Sequence, residues 1–465
     1  MTVSALRLAF YGDDFTGSTD ALEVLAFAGI RAALFLQPPT PEMLARFKGL
    51  EALGVAGDSR AMTPEEMDQH LPGVFDALAK LGAPLIHYKV CSTFDSGQNV
   101  GSIGRVMEIA QRRFAAPWLP VVAATPKLGR WCLFGNLFAR SATDGEVYRI
   151  DRHPIMSVHP VTPMSESDLT VHLGLQGSVP LGSLPFDRLE AGIDAAESHL
   201  ARLIDKGRKA VVLDAVNDGH MCRIGKLLAR HASNYGQMFV VGSSGAEYAL
   251  TQYWNEADGP RAAADYAEFS GVRQVLAVSG SASELSARQI EAALAAGFAD
   301  VPVDASAIAG KDSAVSARAL VAQVVKLLQT GRSVIIHTAR GHKDPRITAL
   351  VNVIEAQGLS RAKAGHEGGR LLGRRLGEVV RDILAAFPIK RLLLSGGDTS
   401  SQVTKVLAPD AIVIAARLAA GAPLCRLIAP GRDLDGLEVA LKGGQMGGVD
   451  YFIRALKGTT RPATT

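Results

Sequence analysis

Two adjacent carboxylates near the start of the chain are the first residues that could do chemistry. The segment Tyr11-Gly12-Asp13-Asp14-Phe15-Thr16-Gly17-Ser18-Thr19-Asp20 sets Asp13 and Asp14 among hydroxyls and between glycines. Acids and hydroxyls so placed, Thr16 among them, can grip a polyol or a metal ion, whereas a helix cap would need only one of them. A second polar run, Lys89-Val90-Cys91-Ser92-Thr93-Phe94-Asp95-Ser96, is followed by Gly101-Ser102-Ile103-Gly104. Lys89, Ser92 and Thr93 can hold a carboxylate there, aided by the positive end of a following helix. Three glycine-bearing loops come later: Ser279-Gly280-Ser281, Gly396-Gly397-Asp398-Thr399 and Lys442-Gly443-Gly444. Without Cβ atoms, backbone N–H groups can come close to a polyphosphate. Asp398, at the mouth of a helix, can hold Mg²⁺ or accept a hydroxyl proton, and Lys442 adds positive charge beside the phosphates.

These residues need elements that carry them, and the apolar pattern supplies strands alternating with helices. Leu6–Tyr11, Ala32–Phe35, Leu53–Ala56, Pro84–Lys89, Leu119–Ala124, Ala210–Asp214 and Met238–Gly242 read as buried strands. Helices are expected over Ser18–Ala28, from Thr63 to about Lys80, and over Gly104–Phe114, Arg188–Asp205 and Asp218–Ala232. Thr63-Pro64-Glu65-Glu66 offers a cap, a proline at the first helical position and a capping-box glutamate. A polar, alanine-rich stretch over 255–271 then breaks the pattern and reads as a linker. The alternation restarts with strands Gln274–Ser279, Asp300–Val303, Ser333–Thr338, Arg391–Ser395 and Ala411–Ala416. Between them helices are expected over Ser283–Ala296, Ala314–Thr330, Gly369–Phe387 and Thr399–Leu407. The alternation predicts two α/β domains with mainly parallel sheets: 1–254, the linker 255–271, 272–456, and a tail over 457–465.

Composition narrows the function. The chain has 465 residues, 48% hydrophobic and 20% charged, which is ordinary for a folded protein. Its net charge, 49 − 46 = +3, gives no reason to expect a nucleic-acid partner. No apolar run has the roughly 18 residues of a membrane span, and no signal region opens the chain, so a cytoplasmic protein without a membrane partner is expected. Cys91, Cys132, Cys222 and Cys425 lie far apart, without metal-binding spacing. The 47 glycines are a mild surplus. The P-loop pattern is missing, because Gly310-Lys311 continues into Asp312 and Gly225-Lys226 into Leu227. No G-x-G-x-x-G follows a strand, which counts against an NAD-dependent dehydrogenase. Arg152, His153 and His159, in an irregular middle rich in proline and histidine, can touch a substrate, although structural roles explain them as well.

Taken together and in order, these motifs resemble the four-carbon acid sugar kinase family along the whole chain. Asp13-Asp14-Phe15-Thr16-Gly17 is similar to the D-D-F-T-G signature of that family's sugar-acid-binding N-terminal domain. Ser279-Gly280-Ser281, Gly396-Gly397-Asp398-Thr399 and Lys442-Gly443-Gly444 are similar to the loops of its nucleotide-binding C-terminal domain. The resemblance implies MgATP-dependent phosphorylation of a sugar-acid hydroxyl in the cleft between the domains. It implies that Asp13, Asp14, Thr16, Lys89, Ser92 and Thr93 hold the sugar acid. Ser279, Ser281, Gly396, Gly397, Asp398, Thr399, Lys442, Gly443 and Gly444 would hold the nucleotide, with closure about the linker excluding water. Asp14 and Asp398 both stay open as the catalytic base, the metal ligands are undetermined, and a homodimer is the default assembly. One departure bears on the substrate. Many members carry K-x-D-S-T-L-R-G where this chain has Cys91 for the aspartate and Asp95 for the arginine. An acid at 95 would repel a carboxylate that an arginine fork would hold, so the plain four-carbon acids are less expected, and the variant resembles a branch of the family acting on a related oxo or branched sugar acid such as 3-oxo-isoapionate. The contrasting reading is a non-catalytic sugar-acid-binding or effector protein that retains the fold.

Overall fold

A computed structural model describes residues 6–141, 144–159, 161–259, 261, 266–310, 313–356, 358 and 361–459. Residues 460–465 of the expected tail, and 260 and 262–265 of the expected linker, lie outside them. The chain divides into two compact units, Met1–Ala264 and Asp265–Thr465.

The first unit holds β1 (Leu8–Gly12), β2 (Ala32–Phe35), β3 (Ala52–Ala56), β4 (Leu85–Lys89) and β5 (Leu119–Val122). They are followed by β6 (Arg130–Leu133), β7 (Asn136–Arg140), β8 (Val147–Arg149), β9 (Leu181–Leu184), β10 (Ala210–Leu213) and β11 (Met238–Gly242). Its main sheet runs β2-β3-β1-β4-β11-β5-β10-β9 and every pair is parallel. All residues of β1, β3, β4, β10 and β11 are buried, as strands covered by helices on both faces must be. The chain leaves β1 toward β2 and β3 on one side, then crosses to β4 on the other. The β1/β4 boundary is therefore the topological switch point, where open α/β sheets place ligands beyond the strands' carboxyl ends.

The second unit holds β12 (Leu276–Ser279), β13 (Ala299–Pro302), β14 (Val334–His337), β15 (Arg391–Ser395), β16 (Ala411–Ala419), β17 (Ala422–Ile428) and β18 (Glu438–Lys442). The order is β13-β14-β12-β15-β18-β17-β16, parallel through β18 and antiparallel from there. Its switch point lies between β12 and β15. Val275, Ala277, Ile335, Leu393 and Ala440 pack with Ile290, Tyr451 and Phe452 as its core.

Local chemistry explains where the elements begin and end. Thr63 and Glu66 close the expected capping box over the helix Pro64–Lys80. The helix expected from Ser18 starts at Phe15, because Asp14 takes the cap. The single helix expected over Arg188–Asp205 is two, Phe186–Glu190 and Ile193–Asp205, with Gly192 at φ +116 between them. The helix expected from Gly369 begins earlier and spans Arg361–Ala386. The helix Gly245–Asp258 runs on into the first residues of the 255–271 stretch. The strand expected over Ala411–Ala416 runs on to Ala419 and turns at Gly421, φ +67, into β17, which was not expected, nor were β9, β18 and the small antiparallel sheet β6-β7-β8.

Candidate functional site

β1 and β4 run in register, Gly12 opposite Lys89, and the Asp13 N–H donates to the Lys89 carbonyl at 2.8 Å. The Asp13-Asp14 turn and the Cys91–Ser96 loop thus leave the sheet side by side. Asp14 caps the helix Phe15–Phe27, its Oδ1 accepting from the Gly17 N–H at 2.5 Å. Ser18 donates to the Asp14 carbonyl and Thr19 to that of Thr16, so two of the hydroxyls serve the helix start. A residue that sequence reasoning missed organises the acids. Arg60, on the Ser59–Ala61 turn after β3, donates through Nε and NH2 to both Asp13 oxygens at 3.0 and 2.7 Å. Its NH1 pairs with Asp14 Oδ2 at 2.5 Å. The signal available was only an arginine just past a strand that flanks β1.

The electrostatics follow from this clamp. Burial pushes the Asp13 carboxyl up to about 6 against the pull of Arg60, and neighbouring Asp14 adds to the rise. Burial works against the Arg60 charge, and the two carboxylates more than offset it. Lys89 is 2% exposed, with Nζ donating to the Val90 carbonyl at 3.0 Å and lying 3.6 Å from Asp20. Asp20, Asp14 and Asp13 hold its charge above the usual lysine range despite burial. Lys89 therefore balances the acids.

The Cys91–Ser96 loop turns at Phe94, a buried residue at φ +54, a conformation that costs about 1–3 kcal/mol outside glycine. The turn points Thr93 at Asp95, whose Oδ1 accepts the hydroxyl at 2.5 Å, and Thr162 reaches Oδ2 at 3.4 Å. Burial and the Asp95 carboxylate push the Cys91 thiol up, which keeps it protonated and a poor nucleophile. Ser92 is half-buried on the same loop. His153 and His159 serve their own turns, accepting from the Ile155 and Thr162 N–H groups, and Arg152 lies 3.6 Å from Asp151.

In the second unit β12, β15 and β18 are likewise in register, Ser279 opposite Ser395 and Ser395 opposite Lys442. Their three loops interlock. The Gly280 N–H donates to the Ser395 carbonyl and the Gly396 N–H to that of Lys442. The Ser283 hydroxyl donates to the Gly444 carbonyl at 2.6 Å while capping the helix Glu284–Ala295. A Cβ on Gly280 would meet Thr399 Oγ1 at 2.0 Å, and one on Gly444 would meet Ser281 Oγ at 2.4 Å. Gly396, at φ +113, starts the helix Gly397–Leu407, whose first turn carries an exposed Asp398 with no hydrogen-bond partner among the described residues. Ser279 Oγ is enclosed, with no hydrogen-bond partner among the described residues. Lys442 is fully buried, with Nζ donating to the Gly443 carbonyl at 3.1 Å and lying over the Tyr451 ring. Burial pulls its ammonium down to about 8. Glycine loops, a buried ammonium and an exposed carboxylate thus stand together at one edge of this sheet, and groups of these kinds suit phosphates. Among the described residues no three His, Cys, Asp or Glu side chains gather as a metal site, and no helix is long and apolar enough to cross a membrane.

Residues 8–250 match the sugar-binding N-terminal domain and residues 276–452 the nucleotide-binding C-terminal domain. A 3-oxo-isoapionate kinase of Paraburkholderia graminis is 41% identical over 451 residues, covering 97% of this chain and 94% of that one. A 3-oxo-tetronate kinase of Pseudomonas fluorescens is 28% identical over 460 residues, covering 98% of each. A crystal structure from Salmonella typhimurium LT2 superposes with a TM-score of 0.74 at 25% identity, covering 96% of this chain and 98% of the other. One from Haemophilus influenzae shares the fold at a TM-score of 0.71 and 20% identity, with the same coverage. With both halves of its length matched, and its relatives matched almost end to end, the chain belongs to the four-carbon acid sugar kinase family.

Proposed function

We propose that the protein is an ATP-dependent kinase that phosphorylates a hydroxyl of an oxo or branched sugar acid of the 3-oxo-isoapionate type. The observation that carries this reading is the 41% identity to a 3-oxo-isoapionate kinase across nearly the whole chain. Its support in the fold is that each domain gathers polar loops at its own switch point. The first domain holds the sugar acid through Asp13, Asp14, Thr16, Lys89, Ser92 and Thr93, with the acids pre-oriented by Arg60. The second domain takes the nucleotide through Ser279, Ser281, Gly396, Gly397, Asp398, Thr399, Lys442, Gly443 and Gly444.

The phosphate loops suit MgATP, because magnesium commonly takes one or two carboxylates together with substrate phosphates and water. Bound MgATP would supply the transferable phosphoryl group with part of its charge neutralised. Asp398, exposed and uncommitted, is the carboxylate for the metal. Asp14, on the sugar-binding domain, takes the proton of the attacking hydroxyl. Phosphoryl transfer leans on positioning and charge neutralisation more than on covalent help, and preset N–H donors with Lys442 meet that need. A cytoplasmic homodimer with no nucleic-acid or membrane partner completes the proposal.

The test is a coupled ATP-consumption assay over C4 to C6 sugar acids, including 3-oxo-isoapionate and 3-oxo-tetronates. Turnover with an oxo or branched acid is expected. ATP consumption with none of them would refute the kinase reading.

A further inference from the structure

We infer that Arg130 is the residue that receives the carboxylate of the sugar acid, an assignment that rests on the kinase reading above. Arg130 opens β6 directly after the Pro126–Leu128 turn. Its backbone bridges to Thr125, just past the carboxyl end of β5, with N–H···O distances of 3.0 and 3.2 Å. Thr125 is in turn 2.7 Å from Ser243 Oγ, just past the end of β11, the strand beside β4. Arg130 therefore stands at the same carboxyl edge as Asp13, Lys89 and Cys91.

Its partners set it apart from the other cations of that edge. Arg60 is bound to Asp13 and Asp14, and Lys89 is answered by Asp20. Among the described residues Arg130 has no carboxylate partner. One terminal nitrogen, NH1, donates to the Leu128, Gly129 and Arg140 carbonyls at 2.7, 3.2 and 3.4 Å. Its Nε is enclosed and without an acceptor, and NH2 takes none among the described residues. Burial disfavours its charge, which an anion beside it would restore. His153 also lies within its field. A guanidinium held by carbonyls through one nitrogen, with the rest of its fork unused, is built to receive a planar anion.

The Cys91–Ser96 loop after β4 has the other polarity. Asp95 is buried, has no cation partner among the described residues and accepts from Thr93 and Thr162. A sugar acid lying along this edge keeps its hydroxyls toward Asp95 and Thr93 and its carboxylate toward Arg130. The two residues together set the direction in which the substrate lies.

The experiment compares wild type, R130Q and R130K of the full chain with 3-oxo-isoapionate and ATP, alongside erythritol as a polyol without a carboxylate. For R130Q, kcat/KM for the acid should fall by about 10- to 100-fold, mainly through KM, while KM for ATP holds. The preference for the acid over erythritol should shrink by the same factor. R130K keeps the charge but loses the fork and should lie between the two, which also covers the case in which R130Q folds poorly. A folded R130Q with wild-type KM for the acid, or a KM for ATP that rises equally, overturns the assignment. If the wild type itself phosphorylates no sugar acid, the kinase reading falls and this subsite falls with it. Wild-type turnover that R130Q leaves untouched refutes the subsite alone.

Discussion

Arg60 closes its fork on Asp13, Nε to Oδ2 at 3.0 Å and NH2 to Oδ1 at 2.7 Å, and its remaining nitrogen reaches Asp14. One guanidinium from the turn after β3 thus orients two acids from the turn after β1. Both carboxylates are presented in fixed directions, the condition under which they can distinguish one hydroxyl pattern from another.

Asp13 should impose an acid limb on activity. Its carboxyl sits up at about 6, so kcat/KM should climb as pH rises through that value, where the clamp becomes fully charged. Stability runs the other way. The folded chain keeps a proton that the unfolded chain releases near pH 4, so this group's contribution is greatest in acid and declines until about pH 6. R60Q removes the opposing cation and should move the limb upward by about one pH unit. A pH–rate profile decides it; a limb that stays in place in R60Q would show that Asp13 is not the titrating group.

Asp14 and Asp398 should fail differently. D14N should lower kcat by about 10²-fold or more with the magnesium requirement unchanged. D398N should raise the magnesium concentration needed for half-maximal rate, with partial rescue at high metal. Magnesium titrations of both variants separate the roles, and the reverse pattern would exchange them.

The interlocked loops predict a rescue. A methyl on Gly280 meets the Thr399 hydroxyl at 2.0 Å, so G280A must push the two loops apart. Overpacking of this kind costs about 1–3 kcal/mol, and ATP affinity measured by titration calorimetry should drop about tenfold or more. Removing the hydroxyl should relieve the clash, so that G280A/T399A binds ATP as T399A alone does. A double variant as weak as the sum of the two singles would count against this geometry.

Lys442 should make the second domain unusually tolerant of alkali in the absence of nucleotide. Its ammonium is pulled down from 10.5 to about 8, so the folded chain loses this proton before the unfolded chain does. Stability therefore rises with pH between about 8 and 10.5, by on the order of 3 kcal/mol at 1.36 kcal/mol per pKa unit. K442M should abolish that rise in thermal melts and weaken ATP binding. A pH dependence identical to wild type in K442M would refute the assignment of this buried charge.

Much of the scaffold can be read locally. Runs of aliphatic residues mark most of the parallel strands, and Thr63-Pro64-Glu65-Glu66 announces its helix, because caps and periodicity are short-range properties. The elements that escaped had weaker local signals. In β6 the exposed and buried positions do not alternate, and Arg188–Asp205 looks continuous until Gly192 turns to φ +116.

Residue patterns alone put Asp13-Asp14, Gly280 and Gly396 at strand ends, because each follows an apolar run directly, whereas the strand that ends at Lys442 emerged only in the fold. Which of these ends are neighbours was decided only by the tertiary structure. Parallel strands pair across long crossovers, so nothing in the residues near Asp13 tells it that Arg60 lies opposite and Lys89 beside it. In the same way Gly280, Gly396 and Gly444 read as three separate turns, and come together in one cluster because β12, β15 and β18 are adjacent and in register. Residue types set what each loop can bind, and the order of the strands sets which loops bind together.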